Sequence, residues 1–158
     1  MANDVGALDI LLVEDRPGDI RLTREAFHHR GTPLRLHHAW NGIEAMAFLR
    51  HEGIYADSPR PDLILLDLKM PVMDGRETLA QIKGDPCLMA IPTIILTASD
   101  SEADVSLCYG LHANCYLQKP ANWDAFDRLV TGIDAFWLNR AKLPRRSRGR
   151  HASLAGQK

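Results

Sequence analysis

Asp67 closes an apolar run, Leu63-Ile64-Leu65-Leu66, and is followed by Lys69-Met70-Pro71 and Asp74-Gly75. A lone carboxylate is thereby presented where a buried strand gives way to a loop, in position to react. A second apolar run, Ile10-Leu11-Leu12-Val13, ends in the same manner in Glu14-Asp15. In a parallel sheet the strand C-termini share one edge, and ligands bind in the crevice outside them. The three carboxylates are therefore expected to meet in one cleft. Like charges held that close repel unless a cation joins them, and clustered carboxylate oxygens are the ligands a hard divalent ion such as magnesium prefers. The cluster reads as a metal site with a nucleophile in it, and magnesium is the expected ion. Two more strand ends complete the set. Thr93-Ile94-Ile95-Leu96 runs into Thr97-Ala98-Ser99, a hydroxyl beside a small residue that leaves the cleft open, and Cys115-Tyr116-Leu117-Gln118 runs into Lys119-Pro120, which supplies one ammonium. An anion on Asp67 would meet a hydroxyl donor, a lysine and a metal ion, the charge stabilisers that phosphoryl transfer requires. Carboxylates that form aspartyl-phosphates are known covalent nucleophiles.

The order of these pieces, Glu14-Asp15, Asp67, Thr97 and Lys119-Pro120, resembles the receiver domain of two-component response regulators over roughly residues 8–138. That resemblance implies a doubly wound, flavodoxin-like α/β fold, a five-stranded parallel sheet of order 2-1-3-4-5 flanked by five helices. It implies that Asp67 is the phosphoacceptor and that the donor is a histidine on a partner kinase. The metal ligands would be Asp15, Asp67 and the backbone carbonyl of Lys69, with Glu14 acting through water. Thr97, Ala98 and Lys119 would receive the phosphoryl group, and Tyr116 would be the aromatic residue that turns inward when the threonine moves. More narrowly, Leu11-Leu12-Val13-Glu14-Asp15 with Pro17-Gly18-Asp19, Pro61 to Leu68, and Asn114 to Pro120 leading to Phe136-Trp137-Leu138 resemble stand-alone regulators paired with phytochrome-type photoreceptor kinases. The rival chemistry is a magnesium-dependent phosphohydrolase with an aspartyl nucleophile. Such enzymes place a second aspartate two residues after the first as general acid, and here that position is Lys69.

The elements that must position these residues are legible as five short apolar runs alternating with helical periodicity, the pattern of repeated βα units. A first helix is expected from Pro17 to about Arg30, since proline is tolerated in a first turn. Leu34-Arg35-Leu36-His37 alternates as an edge strand does. Asn41 with Glu44, and Asp74 with Glu77, have capping-box spacing and predict helices at 42–51 and 75–84. A fourth helix is expected at 102–111. The fifth, from Asn122, carries the stripe Trp123, Phe126, Val130, Ile133 and Trp137. Phe136, Trp137 and Leu138 follow one another at its end, and neighbouring residues on a helix diverge by about 100°. They cannot all point inward, so they are candidate contacts of a homodimer. The Lys119-Pro120 bond is a candidate cis peptide. Residues 51–61 form an insertion before the third strand, at the edge opposite the cleft.

The 158 residues, 46% hydrophobic and 25% charged, have ordinary globular composition and suffice for one domain with its own core. No apolar run approaches membrane-spanning length and no signal-peptide pattern is present, which points to the cytoplasm. Cys87, Cys108 and Cys115 match no metal spacing and read as reduced, mostly buried thiols. The net charge of −1 conceals an asymmetry: residues 140–158 hold seven basic and no acidic residues, leaving 12 basic against 20 acidic before them. The expected organisation is a receiver domain at 1–139 and a basic tail at 140–158, too short for a DNA-binding module. Seven histidines are present, but the adjacent pairs His28-His29 and His37-His38 point in different directions and cannot chelate together.

Overall fold

The computed structural model describes residues 6–144. Most of the basic tail, residues 145–158, lies outside the described residues. Five strands, β1 (Leu8–Val13), β2 (Leu34–Ala39), β3 (Leu63–Leu66), β4 (Thr93–Thr97) and β5 (Cys115–Gln118), form one sheet of order β2-β1-β3-β4-β5 in which every pairing is parallel. Helices α1 (Pro17–His28), α2 (Gly42–Leu49), α3 (Gly75–Gly84), α4 (Glu102–Gly110) and α5 (Trp123–Ile133) form the crossovers and the final covering element. This is the expected order. It reverses direction beside β1 and β3, so a crevice opens between Glu14-Asp15 and Asp67.

Burial on both faces explains why the central strands read as unbroken apolar runs rather than alternating ones. Leu11, Val13, Ile64, Leu66 and Ile95 face α2, α3 and α4, whereas Ile10, Leu12, Leu63, Leu65 and Ile94 face α1 and α5. Period-two geometry sends successive side chains to opposite faces, so each run feeds two cores at once. Edge strand β2 is half-buried along most of its length and continues through Ala39, two residues past the expected end.

The helix starts follow their caps. Asn41 and Asp74 accept hydrogen bonds from the Glu44 and Glu77 N–H at 3.0 Å each, and Asn122 caps α5 by accepting from Ala125 N–H at 2.8 Å. Glu44 reaches back to the Trp40 N–H at 2.9 Å, one residue before the cap. The helix ends are shorter than expected, at His28 for α1 and Leu49 for α2, because periodicity persists into the frayed turn that follows. The loop before β3 contains a single 3₁₀ turn, Gly53–Tyr55. Cys108 is buried, but Cys115 is only half-buried and Cys87 is exposed in the turn after α3, which corrects the expectation of mostly buried thiols. No cis peptide occurs among the described residues, so the Lys119-Pro120 bond is trans. The Lys119 ammonium is aimed instead by the carboxylates around it.

The largest departure follows α5. Asp134–Arg140 is a π-helical turn, closed by the Ala141 N–H on the Phe136 carbonyl at 2.7 Å. The wider turn places Leu138, five residues after Ile133, beneath the same core, where only 9% of it is exposed. Leu138 is therefore packed in the core of its own subunit. Trp137 packs partly on this core, and Phe136 alone of the three is largely exposed. At the other end of the stripe, Trp123 is exposed.

One glycine decides how the Asp67 loop packs. A Cβ on Gly75 would stand 2.0 Å from the Asp67 carbonyl oxygen and 2.7 Å from Leu68 Cα, so only glycine lets α3 begin against the backbone that presents Asp67. The Gly75 N–H donates to the Leu68 carbonyl at 2.9 Å. Gly84, at the far end of the same helix, has nothing within 4 Å. We expect Gly75→Ala to destabilise the fold by about 2 kcal/mol or more, as overpacking against rigid backbone does. Gly84→Ala should be neutral or stabilising. Chemical denaturation of the two variants beside the wild type checks the contrast, and equal midpoints would remove the packing argument.

Candidate functional site

The strand ends are held in register past the last sheet residue. Glu14 N–H donates to the Ala39 carbonyl at 3.0 Å, Asp67 N–H to the Val13 carbonyl at 3.1 Å, and Lys119 N–H to the Thr97 carbonyl at 2.7 Å. Main-chain pairing thus continues one residue into each loop. The point from which each of these side chains projects is therefore set by the backbone, and their own contacts then aim them.

One carboxylate oxygen from each of Glu14, Asp15 and Asp67 lies within 4.8 Å of the other two. Glu14 and Asp67 are buried and Asp15 is partly so. Lys119 Nζ meets the cluster from β5. It is in short contact with Glu14 Oε2, and stands 3.1 Å from Asp19 Oδ2 and 3.6 Å from Asp67 Oδ2. The other Asp67 oxygen accepts the Leu68 N–H at 2.8 Å. Burial pushes the Glu14 carboxyl up to about 7, and the Asp67 charge adds to this against the opposing pull of Lys119. Burial also works to lower the Lys119 ammonium, but the Glu14 and Asp67 charges outweigh it and hold the lysine above its ordinary range. One ammonium thus faces four acidic side chains: Glu14, Asp15, Asp19 and Asp67.

That imbalance suits a cation. Asp15 Oδ1 is buried and has no hydrogen-bond donor among the described residues, an arrangement costly for a carboxylate oxygen unless a positive ligand supplies the missing contact. Three convergent carboxylates form an all-oxygen donor set, the kind magnesium or manganese takes. The residues present fit a divalent ion.

On the other side of the cleft, Thr97 is buried at the end of β4, while Ala98 is exposed. Thr97 Oγ1 is approached by the Ser99 N–H at 3.5 Å. Tyr116, half-buried on β5, donates its hydroxyl to the Ser99 carbonyl at 2.9 Å and packs against the core beneath α4. Lys69 is exposed on the loop after Asp67. Every sequence-derived site residue except the aromatic cluster of the C-terminal turn thus lies on the loops at this edge, at the end of β4 or on the β5 segment that feeds it.

Asp19 and His38 were not foreseen. Asp19 is four residues after Asp15, one turn into α1, and that spacing could have been read as returning a carboxylate to the cleft. His38 holds the Glu14 carbonyl through Nε2 at 2.7 Å, a long-range contact that no local signal carries.

The model of the response regulator receiver domain matches residues 10–131. The chain belongs to the receiver-domain family. Response regulator Rcp1 of Synechocystis sp. is 48% identical over 135 residues, covering 85% of this chain and 92% of that protein. Among solved structures, the phosphorylated cyanobacterial phytochrome response regulator RcpA superposes with a TM-score of 0.85 at 49% identity, covering 88% of this chain and 99% of that one. The Mn(2+)-bound form of Rcp1 gives 0.84 at 47% identity, covering 87% and 99%. The receiver is accordingly a phosphorylation switch, homologous over most of its length to phytochrome response regulators, and its acidic cluster could hold a divalent ion. No helix among the described residues is long and apolar enough to cross a membrane.

The electrostatics make a prediction for the metal-free protein. Glu14 has a folded-state pKa near 7, above its ordinary 4.5, so its contribution to stability is complete below pH 4.5 and is lost as pH rises through about 7. The Lys119 contribution, raised from 10.5, is retained across that window. In EDTA, the urea midpoint of the wild type should therefore fall more between pH 5 and 8 than that of Glu14→Gln. Parallel curves would show that Glu14 ionises normally. Asp15→Asn should weaken magnesium or manganese binding tenfold or more, about 1.4 kcal/mol, and unchanged titration would place the ion elsewhere.

Proposed function

We propose that Asp67 accepts a phosphoryl group from a histidine of a phytochrome-type kinase, with magnesium in the acidic cluster. The observation that carries this is the placement of the Asp67 carboxylate: it follows the central strand β3, between the ends of β1 and β4, stands 3.6 Å from Lys119 and is grouped with Glu14 and Asp15. Asp67 Oδ2 attacks phosphorus as the phosphorus–nitrogen bond of the phosphohistidine breaks, and the electron pair of that bond returns to the imidazole. An acyl phosphate on Asp67 is the product. Lys119 offsets charge on the phosphoryl oxygens, the Thr97 hydroxyl donates to one of them, and exposed Ala98 leaves room for the donor. Bound magnesium, held by Asp15, Asp67 and the Lys69 carbonyl with Glu14 through water, would lower the repulsion between the incoming group and the carboxylates.

The protein is on this reading an acceptor that assists its own phosphorylation and hydrolysis, not an enzyme with a separate substrate. Lys69 stands where a phosphohydrolase of this chemistry needs its acid, and an ammonium cannot act in that role. A donor charged from ATP makes the cytoplasm the compartment of the exchange. Incubation with acetyl phosphate and magnesium should add one phosphoryl group to the wild type and none to Asp67→Asn. Labelling of that variant would sink the assignment.

We also infer a homodimer built on the C-terminal segment. A groove of about 510 Å³ lies between β5 and α5, lined among others by Leu117, Leu129, Ile133, Phe136 and Trp137, and Phe136 stands 56% exposed at its margin. β5 is the edge strand of the sheet beside this groove. A second copy offering the same apolar groove and the same protruding ring is self-complementary about a two-fold axis. Receiver domain 1–139 would form this contact. Sedimentation should give a dimer for the wild type and a shift toward monomer for Phe136→Ala. A wild-type monomer at high micromolar concentration would rule the dimer out.

A further inference from the structure

Strand β4 ends at Thr97, so the sheet does not hold the loop that follows, yet that loop touches both switch residues. Ser99 N–H approaches Thr97 Oγ1 at 3.5 Å, and the Ser99 carbonyl accepts the Tyr116 hydroxyl at 2.9 Å. What fixes Ser99 is its own side chain. Ser99 Oγ donates to Asp104 Oδ2 at 2.6 Å, in the first turn of α4. Asp104 Oδ1 in turn accepts two hydrogen bonds from Arg76 on α3, from its terminal guanidinium nitrogen at 2.5 Å and from Nε at 3.2 Å. The Ser101 N–H closes the turn on Ser99 Oγ at 3.3 Å. A continuous path therefore runs from α3 through α4 to the loop and on to β5. Charge-assisted bonds to a carboxylate are about twice as strong as neutral ones. In keeping with that, the Ser99 hydroxyl first, and Arg76 with it, hold the Asp104 carboxyl below its ordinary range.

We propose that Arg76 and Asp104 are positioning residues for phosphoryl acceptance, clamping Ser99 so that Thr97 and Tyr116 are arranged before the phosphoryl group arrives. The hydrogen-bond roles follow from the donors. With the Ser99 N–H directed at one lone pair of Thr97 Oγ1, the threonine O–H hydrogen is left to be given away, and the phosphoryl oxygen is the acceptor that the reaction brings. With the Ser99 carbonyl in place, Tyr116 keeps its half-buried seat against the core. Loss of either partner of the clamp frees Ser99, and both switch residues lose their fixed neighbour together. The effect on acceptance rests on Asp67 being the acceptor, whereas the seating of Tyr116 does not.

The test is fluorine NMR of the full chain carrying 3-fluorotyrosine, with the Tyr116 signal identified by its loss in Tyr116→Phe. Without any phosphodonor, Tyr116 should give the signal of a buried ring in the wild type and move toward the solvent position in Asp104→Ala and in Arg76→Ala. Arg76→Lys, which keeps the charge, should restore most of the buried signal. Labelling by acetyl phosphate at saturating magnesium should slow threefold or more in each single variant, and no further in the double variant, because the two residues act as one unit. A Tyr116 signal unmoved in folded Asp104→Ala, or rate losses that multiply in the double variant, would overturn the clamp. If Asp104→Ala does not fold, Arg76→Ala decides alone on the same two readouts. Should acetyl phosphate fail to label even the wild type while the Tyr116 signal still moves, the reading of Asp67 fails and the clamp stands.

Discussion

The arrangement depends on crowding negative charge at one sheet edge and compensating it with too little positive charge. Glu14, Asp15, Asp19 and Asp67 converge there, and Lys119 touches three of them. A soluble fold ordinarily avoids this, because a buried carboxylate without a partner raises its pKa until it neutralises. Glu14 goes part of the way, up to about 7. The rest of the deficit is left open, and on the proposed function it is what a metal ion and then a phosphoryl group would meet. The sheet makes the crowding tolerable. Backbone pairing one residue beyond β1 and β3 holds Glu14 and Asp67 where their side chains alone would spring apart.

The same edge explains which features were legible in the sequence. Asp67, Glu14-Asp15 and Thr97 each end an apolar run buried on both faces, a strong local signal, whereas Lys119 follows the half-buried edge strand β5 and is marked by the proline after it. Their convergence then followed from the rule that parallel strands share one C-terminal edge. Caps at Asn41, Asp74 and Asn122 are likewise local, and the helices began where these residues stand. The Asp19 and His38 contacts reach partners about a hundred and about two dozen residues away; the local spacing from Asp15 hints at the place of Asp19 but not at Lys119, and nothing local marks His38. The Arg76–Asp104 pair, on two separate helices, was invisible for the same reason.

The C-terminal segment was legible in part. Phe136, Trp137 and Leu138 cannot all point inward on a helix, and Phe136 is the one left exposed, but regular spacing does not single out Leu138 as the one that turns in. The chain widens after Ile133, and Leu138 rejoins the core. Nothing in the residue types from Asp134 to Arg140 separates a π turn from an α turn. The preference comes from tertiary packing, with Leu138 filling space under Ile133 that an α-helical continuation would have left to another residue.

That wide turn works as a register buffer. An α-helix advances about 100° per residue, so one extra residue in a regular helix would swing everything downstream by roughly that angle. A π turn takes up the extra residue within one wider turn and leaves the downstream phase where it was. Leu138, five residues after Ile133, accordingly shares its core. With one residue fewer between them, Leu138 would stand four residues after Ile133, the α-helical spacing, and face the same core. The segment can therefore lose a residue ahead of Phe136 and still keep its leucine inward and its ring outward.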